Sequence, residues 1–334
     1  MNMPRPGVGE FDLIRRHFQR PAHPQAPGVA LGIGDDCALL VPEPGHTLAV
    51  STDMLVEGRH FLAGAEPTHL GHKALAVNLS DLAAMGARPL GFTLALALPE
   101  ANEHWLAAFA QGLFALADAH ACPLVGGDTT RGPLNLCITV FGQLAPGQAL
   151  RRSAARPDDD IYLSGRTGEA RLALALLLQE PWAVQACGAQ ALEQHPQLQQ
   201  RLDQPTPRLA LGRALAGVAH AAIDVSDGLA ADLGHILAAS GVGAELDLSA
   251  LPLAEGLQPL TAARRLQCLL NGGDDYELVF TAAPQHRATV ATAAQTSATP
   301  VSRIGRITQS PGLRALHPDG SSHSIEAQGF DHFG

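Results

Sequence analysis

The sequence predicts an α/β (α+β) protein of two domains, and three observations carry this prediction. The chain has 334 residues, more than a single domain of roughly 100–200 residues usually contains. Helical and strand patterns alternate along its length, as in mixed folds. A polar stretch rich in turn residues, from Pro146-Gly147 to residues 157–160, interrupts this alternation. We therefore expect one domain over residues 1–148 and a second over residues 149–334.

The first half contains clear start and stop signals. Phe11, Ile14 and Phe18 have helical spacing near the start. Pro67 near the beginning and Gly86 just beyond the end predict a helix over residues 67–85. Asn102 is a suitable N-cap for the helix that follows it. Strands are predicted at residues 48–52, 91–98, 123–125 and 136–141.

The second half repeats the alternation. We expect strands at residues 161–164, 221–225 and 277–281, and helices at residues 169–179, 208–218 and 227–239. The glutamine-rich segment between them, residues 182–204, is predicted to be an exposed helical excursion.

Composition excludes several classes of function. Apolar residues make up 46% and charged residues 16%, and the net charge is −10, so we expect no nucleic acid or membrane partner. The single lysine, Lys73, is followed by Ala74, which excludes a Walker A loop, and there is no His-Arg-Asp catalytic loop of a protein kinase. Five cysteines without a CxxC pair, and no signal-like N-terminus, predict a cytoplasmic protein.

Clusters of acidic residues, four of them with glycine, follow the predicted strands. There are five such clusters: Gly34-Asp35-Asp36, Ser51-Thr52-Asp53, Gly126-Gly127-Asp128, Asp224-Val225-Ser226-Asp227-Gly228 and Gly272-Gly273-Asp274-Asp275. Any one of them is adequately explained as a turn, because glycine allows positive φ and aspartate bonds to its own backbone. Together they indicate a ligand site, since such sites form where strands end in alternating folds.

A carboxylate within the predicted helix at Asp81 strengthens this interpretation, because it costs free energy there unless it has a partner. A salt bridge to an arginine is the simpler alternative. Aspartates that converge need hard cations, and oxygen ligands select Mg²⁺ or Mn²⁺. We therefore expect several Mg²⁺ ions that join the chain to phosphates.

Glycines in the same clusters are suited to phosphate binding. Gly126 and Gly127 lack a Cβ, so their N–H groups can approach a phosphate closely. Asp227 and Gly228 open a predicted helix, whose first amides favour an anion. Arg152, near the domain boundary, could reach a phosphate, or it could be a solvated linker charge.

These motifs resemble those of the thiamine-monophosphate kinases, in the superfamily named for aminoimidazole ribonucleotide synthetase. The matching stretches run in order along the chain: residues 9–11, 32–38, 51–53, 60–61, 73–87, 126–133, 224–229, 272–278 and 329–333. Within the superfamily, Gly-Gly-Asp-Asp-Tyr-Glu-Leu at 272–278 and Gly-Phe-Asp-His-Phe at 329–333 point to the thiamine enzymes.

The resemblance implies a homodimer in which the N-terminal domains form a β-barrel between subunits and the C-terminal domain closes over ATP. It implies that Mg²⁺ is held by eight residues: Asp36, Ser51, Thr52, Asp53, Asp81, Asp128, Asp224 and Asp227. ATP would contact Gly127, Asp128, Arg152 and Ser226, and thiamine monophosphate would contact His60, Asp274 and Phe330. The family often has Glu at the position of Asp274, and Tyr or Trp at that of Phe330.

The expected reaction is direct transfer of the γ-phosphoryl group of ATP to the phosphate of thiamine monophosphate, which gives thiamine diphosphate. No general base is assigned, because a phosphate monoester with a second pKa of about 6 is largely ionised at neutral pH. Two alternatives stay open. One is another ATP-using enzyme of the superfamily, and the other is a non-catalytic sensor of thiamine phosphate or nucleotide.

Overall fold

The computed structural model describes residues 10–20, 28–317 and 319–326. Within these ranges the chain divides into two compact units. The first contains the described residues up to Leu82 together with Arg88–Pro146. The second contains Ala83–Ala87 and the described residues from Gly147 onward.

A four-stranded sheet forms the centre of the first unit. The elements from residue 10 to residue 144 are α1 (Glu10–Leu13), a π-helical turn (Ile14–Phe18), β1 (Val29–Leu31), β2 (Leu39–Leu40), β3 (Thr47–Val56), α2 (Pro67–Met85), β4 (Arg88–Leu98), α3 (Glu103–Ala119), β5 (Leu124–Arg131) and β6 (Asn135–Leu144). The sheet order is β3-β6-β4-β5, in which β4 and β5 are parallel and the other pairs are antiparallel.

The helix start and stop signals predicted in the first half are confirmed. Helix α2 has the predicted bounds. The Asn102 side chain caps α3 by accepting a hydrogen bond from the Trp105 N–H at 3.0 Å. Phe109 and Leu113 on the predicted inner face of α3 are fully buried, so this amphipathic helix lies as its sequence indicates.

Two strands extend further than predicted, which moves predicted site residues from strand ends into strands. Strand β3 does not stop at Asp53, because the next residues continue the antiparallel ladder as far as Val56 opposite Asn135. Strand β5 includes Gly126, Gly127 and Asp128, which pair with β4. The expectation of a glycine turn after a short strand is therefore wrong for this cluster.

The second unit is built on a seven-stranded sheet. Its elements are β7 (Asp160–Ser164), α4 (Glu169–Leu177), α5 (Pro181–Cys187), α6 (Ala191–Gln194), α7 (Pro196–Asp203), α8 (Leu209–Leu215), β8 (Ala221–Val225), α9 (Leu229–Ser240), β9 (Gly243–Asp247), α10 (Ala262–Asn271), β10 (Glu277–Ala282), α11 (Arg287–Thr296), β11 (Val301–Thr308), β12 (Gly312–Leu316) and β13 (Ser322–Ser324). The order is β13-β12-β9-β11-β7-β10-β8, with only β9 and β12 parallel.

The glutamine-rich segment is less exposed than we expected. It forms α5, α6 and α7, and α7 packs on α4. Leu198 and Leu202, four residues apart on α7, are buried in the core of this unit, because that spacing places both on one helix face. The segment is thus part of the second unit's packing.

Across the described ranges, no helix combines the length and the apolar character that crossing a membrane would need.

Candidate functional site

One cavity of the first unit brings together predicted ATP and metal residues. Asp36, Gly127 and Asp128 line a space of about 560 Å³ between residues 33–38, strand β5 and the N-terminal helical segment. Both carboxylates are exposed to solvent. The N–H of Asp36 donates to the Asp35 carboxylate at 2.9 Å, which fixes the turn that carries Asp36. Arg15 and Cys37 line the same cavity, and sequence reasoning did not find them.

Gly127 determines how closely β4 and β5 approach under this cavity. Its φ is +150°, and a Cβ there would lie 1.9 Å from the carbonyl oxygen of Leu94. A side chain cannot occupy that space, so only glycine permits the observed pairing. The next residue along β5 is Asp128, so the position of its carboxylate depends on this close approach.

A second group joins β3 to α2. The Ser51 hydroxyl donates to the Asp81 carboxylate at 2.5 Å, and the N–H of Asp53 donates to the Asn78 side-chain oxygen at 3.1 Å. Ser51 and Asp53 share a face of β3 because side chains alternate along a strand. Thr52 lies on the other face, where its hydroxyl pairs with that of Thr139 at 2.8 Å. The structure therefore brings together Ser51, Asp53 and Asp81 but not the Thr52 side chain.

His60 follows β3 in a tight turn. The N–H of Val56 donates to His60 Nδ1 at 3.0 Å, and the N–H of His60 donates to the carbonyl of Val56 at 3.0 Å. An imidazole nitrogen that accepts a hydrogen bond carries no proton, so the ring proton is on Nε2. The local backbone thus orients the ring so that Nε2 is its donor.

In the second unit, predicted residues meet at the end of β8. Asp224 is buried within the strand, and Ser226 and Asp227 follow it. The N–H of Asp274 donates to the carbonyl of Ser226 at 2.9 Å, and the N–H of Tyr276 donates to that of Val225 at 2.8 Å. Ser226, Asp227 and Asp274 are therefore neighbours, although 46 residues or more of the chain separate Asp274 from the other two.

The amides at this strand end have a partner that sequence reasoning missed. One oxygen of Asp232 accepts hydrogen bonds from the N–H groups of Ser226, Asp227 and Gly228 at 3.0, 3.0 and 3.2 Å. Burial raises the pKa of the Asp232 carboxyl to about 7, and the nearby Asp227 charge adds to this effect. The prediction that these amides face a phosphate is wrong here, because α9 starts at Leu229 and its own Asp232 binds them.

The last two predicted residues are placed as follows. Arg152 is exposed in a 3-10 turn, Arg152–Ala154, and its carbonyl accepts a hydrogen bond from the Ser240 hydroxyl at 2.8 Å. Phe330 lies outside the described residues.

The donor chemistry fits Mg²⁺ held jointly with phosphates. Over residues 10–20, 28–317 and 319–326, no three His, Cys, Asp or Glu side chains form a group that could hold a metal ion alone. Within these ranges the predicted aspartates do not converge in one group and occur as smaller sets: Asp36 and Asp128 line the same cavity, and Ser51 bonds to Asp81. Mg²⁺ is usually bound by one or two carboxylates together with substrate phosphates and water, so such sets suffice for it.

Comparison with known proteins identifies the family. The model of the AIR synthase related protein N-terminal domain matches residues 34–144, and that of the C-terminal domain matches residues 157–317. A thiamine-monophosphate kinase of Salmonella typhimurium is 45% identical over 328 residues, which cover 97% of this chain and 98% of the relative.

Solved structures agree with this comparison. A crystal structure of thiamine-monophosphate kinase from Stenotrophomonas maltophilia K279a is 48% identical, with a TM-score of 0.81, and covers 90% of this chain and 93% of that one. A structure described as AaThiL complexed with AMPPCP and TMP is 29% identical, with a TM-score of 0.73, and covers 88% and 89%. The chain therefore belongs to the thiamine-monophosphate kinases, a family of two-domain enzymes among the AIR synthase related proteins.

Proposed function

We propose that this chain transfers the γ-phosphoryl group of ATP directly to the phosphate of thiamine monophosphate, which yields ADP and thiamine diphosphate. The observation that carries the proposal is the cavity in which Asp36 and Asp128 lie beside the closely packed Gly127. It offers carboxylate oxygens and exposed strand backbone to a triphosphate. The relative complexed with AMPPCP and TMP supports the same pair of substrates.

The nucleotide would contact Gly127, Asp128, Arg152 and Ser226. The ligands of several Mg²⁺ ions would be Asp36, Ser51, Thr52, Asp53, Asp81, Asp128, Asp224 and Asp227. In this assignment residues 1–148 bind the nucleotide and metal and form the dimer, and residues 149–334 close over the substrates.

The reaction brings together two anions that repel each other. Both the attacking phosphate and the triphosphate are anions at neutral pH, so the nucleophile needs no general base. Bound Mg²⁺ would supply charge stabilisation for the transferred group. Asp53 and Asp128 lie on strands and Asp81 lies on a helix, so their oxygens need little further ordering, and Asp36 lies in a hydrogen-bonded turn. No aspartate is assigned as a proton acceptor.

Thiamine monophosphate would contact His60, Asp274 and Phe330. The turn after β3 fixes His60 as a donor through Nε2, which suits a phosphate or another acceptor. The Tyr276 hydroxyl donates to Asp274 Oδ1 at 3.2 Å, so that carboxylate is oriented. A carboxylate can attract the cationic thiazolium ring or accept a hydrogen bond from the aminopyrimidine.

We also propose a cytoplasmic homodimer. Leu48, Val50 and Met54 lie on one face of β3 and are 45%, 56% and 52% exposed. They form an apolar row on the edge strand of the first unit's sheet. Edge strands with exposed apolar residues are usually covered. A second copy whose strands complete a β-barrel would cover this row.

The test uses the purified chain with ATP, Mg²⁺ and thiamine monophosphate, followed by quantification of ADP and thiamine diphosphate. The proposal predicts both products in equal amounts. Free thiamine should give no product, because it lacks the phosphate nucleophile. Equal turnover of free thiamine would reject the mechanism, and substrate binding without ADP release would favour a sensor.

A further inference from the structure

The turn at residues 272–276, which carries Asp274, has an unusual backbone. Asp274 and Tyr276 adopt φ values of +64° and +51°. Residues with a Cβ rarely occupy this left-handed region, and they persist there only where the surrounding structure holds them. The contacts around the turn therefore decide how Asp274 is presented.

Buried carboxylates form the base of the turn. Asp275 is 1% exposed, and the N–H of Gly168 donates to both of its oxygens at 3.0 and 2.9 Å. Glu277 is fully buried at the start of β10 and accepts a hydrogen bond from the Ser164 hydroxyl at 2.6 Å. The last residue of β7 and the loop that follows this strand are thereby bonded to the two ends of the segment 275–277.

Two arginines reach Glu277 from different helical regions. Arg208, just before α8, makes a two-point pair with the carboxylate at 2.7 and 2.6 Å. Arg201 on α7 donates to it at 2.9 Å. Burial alone would disfavour the ionised form, but the hydrogen bonds of Arg208 and Ser164 and the charges of both arginines outweigh burial and lower the pKa of Glu277. The buried group is thus a charged acceptor between two cations.

Arg201 makes contacts that Arg208 does not. Its terminal nitrogen also lies 3.2 Å from the carbonyl oxygen of Arg166 and 3.5 Å from that of Asp275. Since Arg208 already neutralises Glu277, the distinctive contribution of Arg201 is to connect α7 with the backbone of the turn and of the loop after β7.

We propose that Arg201 is a positioning residue for substrate recognition: through the carbonyls of Arg166 and Asp275 and through Glu277, it holds the turn that presents Asp274 to thiamine monophosphate. The glutamine-rich segment then supports the substrate site in addition to its packing role. This inference rests on the proposed function, in which Asp274 contacts the substrate.

Arg201→Met tests this role, because it removes the contacts to the turn while the Arg208–Glu277 pair stays. We expect the KM for thiamine monophosphate to rise about tenfold, with kcat and the KM for ATP within about twofold of the original chain, since small misplacements of a binding group weaken its own ligand most. Arg201→Lys keeps the charge but not the forked donors of the guanidinium, so its KM for thiamine monophosphate should lie between those of the original chain and of Arg201→Met.

The matched control is Arg306→Met. Arg306 pairs with Glu245 at 2.7 Å and lies opposite Asp160, at the other end of β7 from Ser164. All three constants should stay unchanged in this variant. If Arg201→Met folds poorly, Arg201→Lys carries the same prediction of a selective rise in the KM for thiamine monophosphate.

An unchanged KM for thiamine monophosphate in both Arg201 variants would overturn the positioning role. A parallel change in kcat and both KM values would also overturn it, because that pattern indicates a general structural role. Failure of the original chain to form thiamine diphosphate would instead reject the proposed function, so the two failures are distinguishable.

Discussion

Replacing Gly127 by alanine tests the geometry under the Asp36–Asp128 cavity. The new Cβ would lie 1.9 Å from the carbonyl oxygen of Leu94, whereas ordinary contacts begin at 3.4 Å, so β4 and β5 would have to separate by about 1.5 Å. Overpacking together with a strained positive φ should lower the free energy of unfolding by about 2–5 kcal/mol. The same movement displaces Asp128, so the KM for ATP should rise at least about tenfold.

Gly126→Ala is the matched control for this experiment. A Cβ at Gly126 meets only the Thr93 methyl group at 3.6 Å, an ordinary contact, and its backbone needs no positive φ. Urea unfolding should place this variant within about 1 kcal/mol of the original chain. Equal losses of stability in the two variants would refute the reasoning.

Three further predictions address the metal ligands, the cavity and an ion pair. Asp53→Asn should reduce kcat at least about 100-fold without unfolding the chain, whereas the control Asp118→Asn, which removes an exposed pair with Arg20, should leave kcat unchanged. Near-normal turnover of Asp53→Asn in an ADP-release assay would reject the metal role of Asp53. Cys37 is exposed in the cavity, so iodoacetamide should alkylate it in the free chain, and Mg²⁺ with an ATP analogue should reduce this labelling, as measured by mass spectrometry. Equal labelling with and without the analogue would argue against nucleotide binding in this cavity. Burial opposes ionisation of Asp160, but hydrogen bonds from Arg287 and Arg303 outweigh burial and lower the pKa of Asp160. The free energy of unfolding lost in Arg287→Ala, measured with urea, should therefore be greatest above about pH 4 and shrink as the pH falls below 4, and a loss that does not change with pH would contradict this.

Helices with clear start and stop signals could be predicted from the sequence. Pro67 and Gly86 bracket α2, and Asn102 caps α3, because capping and helix termination depend on neighbours in the chain. The ends of β3 and β5 were missed, since the length of a strand is decided by its partner. Register with a distant strand is not encoded in the local pattern.

The same limit applies to the site. The acidic clusters are visible in the sequence, and the structure brings Ser226, Asp227 and Asp274 together as neighbours. Arg201 is not visible as part of the site, because it acts through contacts with distant residues that are made only after folding. Asp232 has a local signal, since it is an aspartate in the first turn of α9, soon after Ser226-Asp227-Gly228.

The central claim is that the γ-phosphoryl group passes directly from ATP to the phosphate of thiamine monophosphate, with no phosphorylated form of the chain between them. Reaction of ATP made chiral at the γ-phosphorus with oxygen isotopes, followed by stereochemical analysis of the terminal phosphate of thiamine diphosphate, measures this. A single in-line displacement predicts inversion of configuration at that phosphorus. Retention would show two successive transfers and would contradict the account.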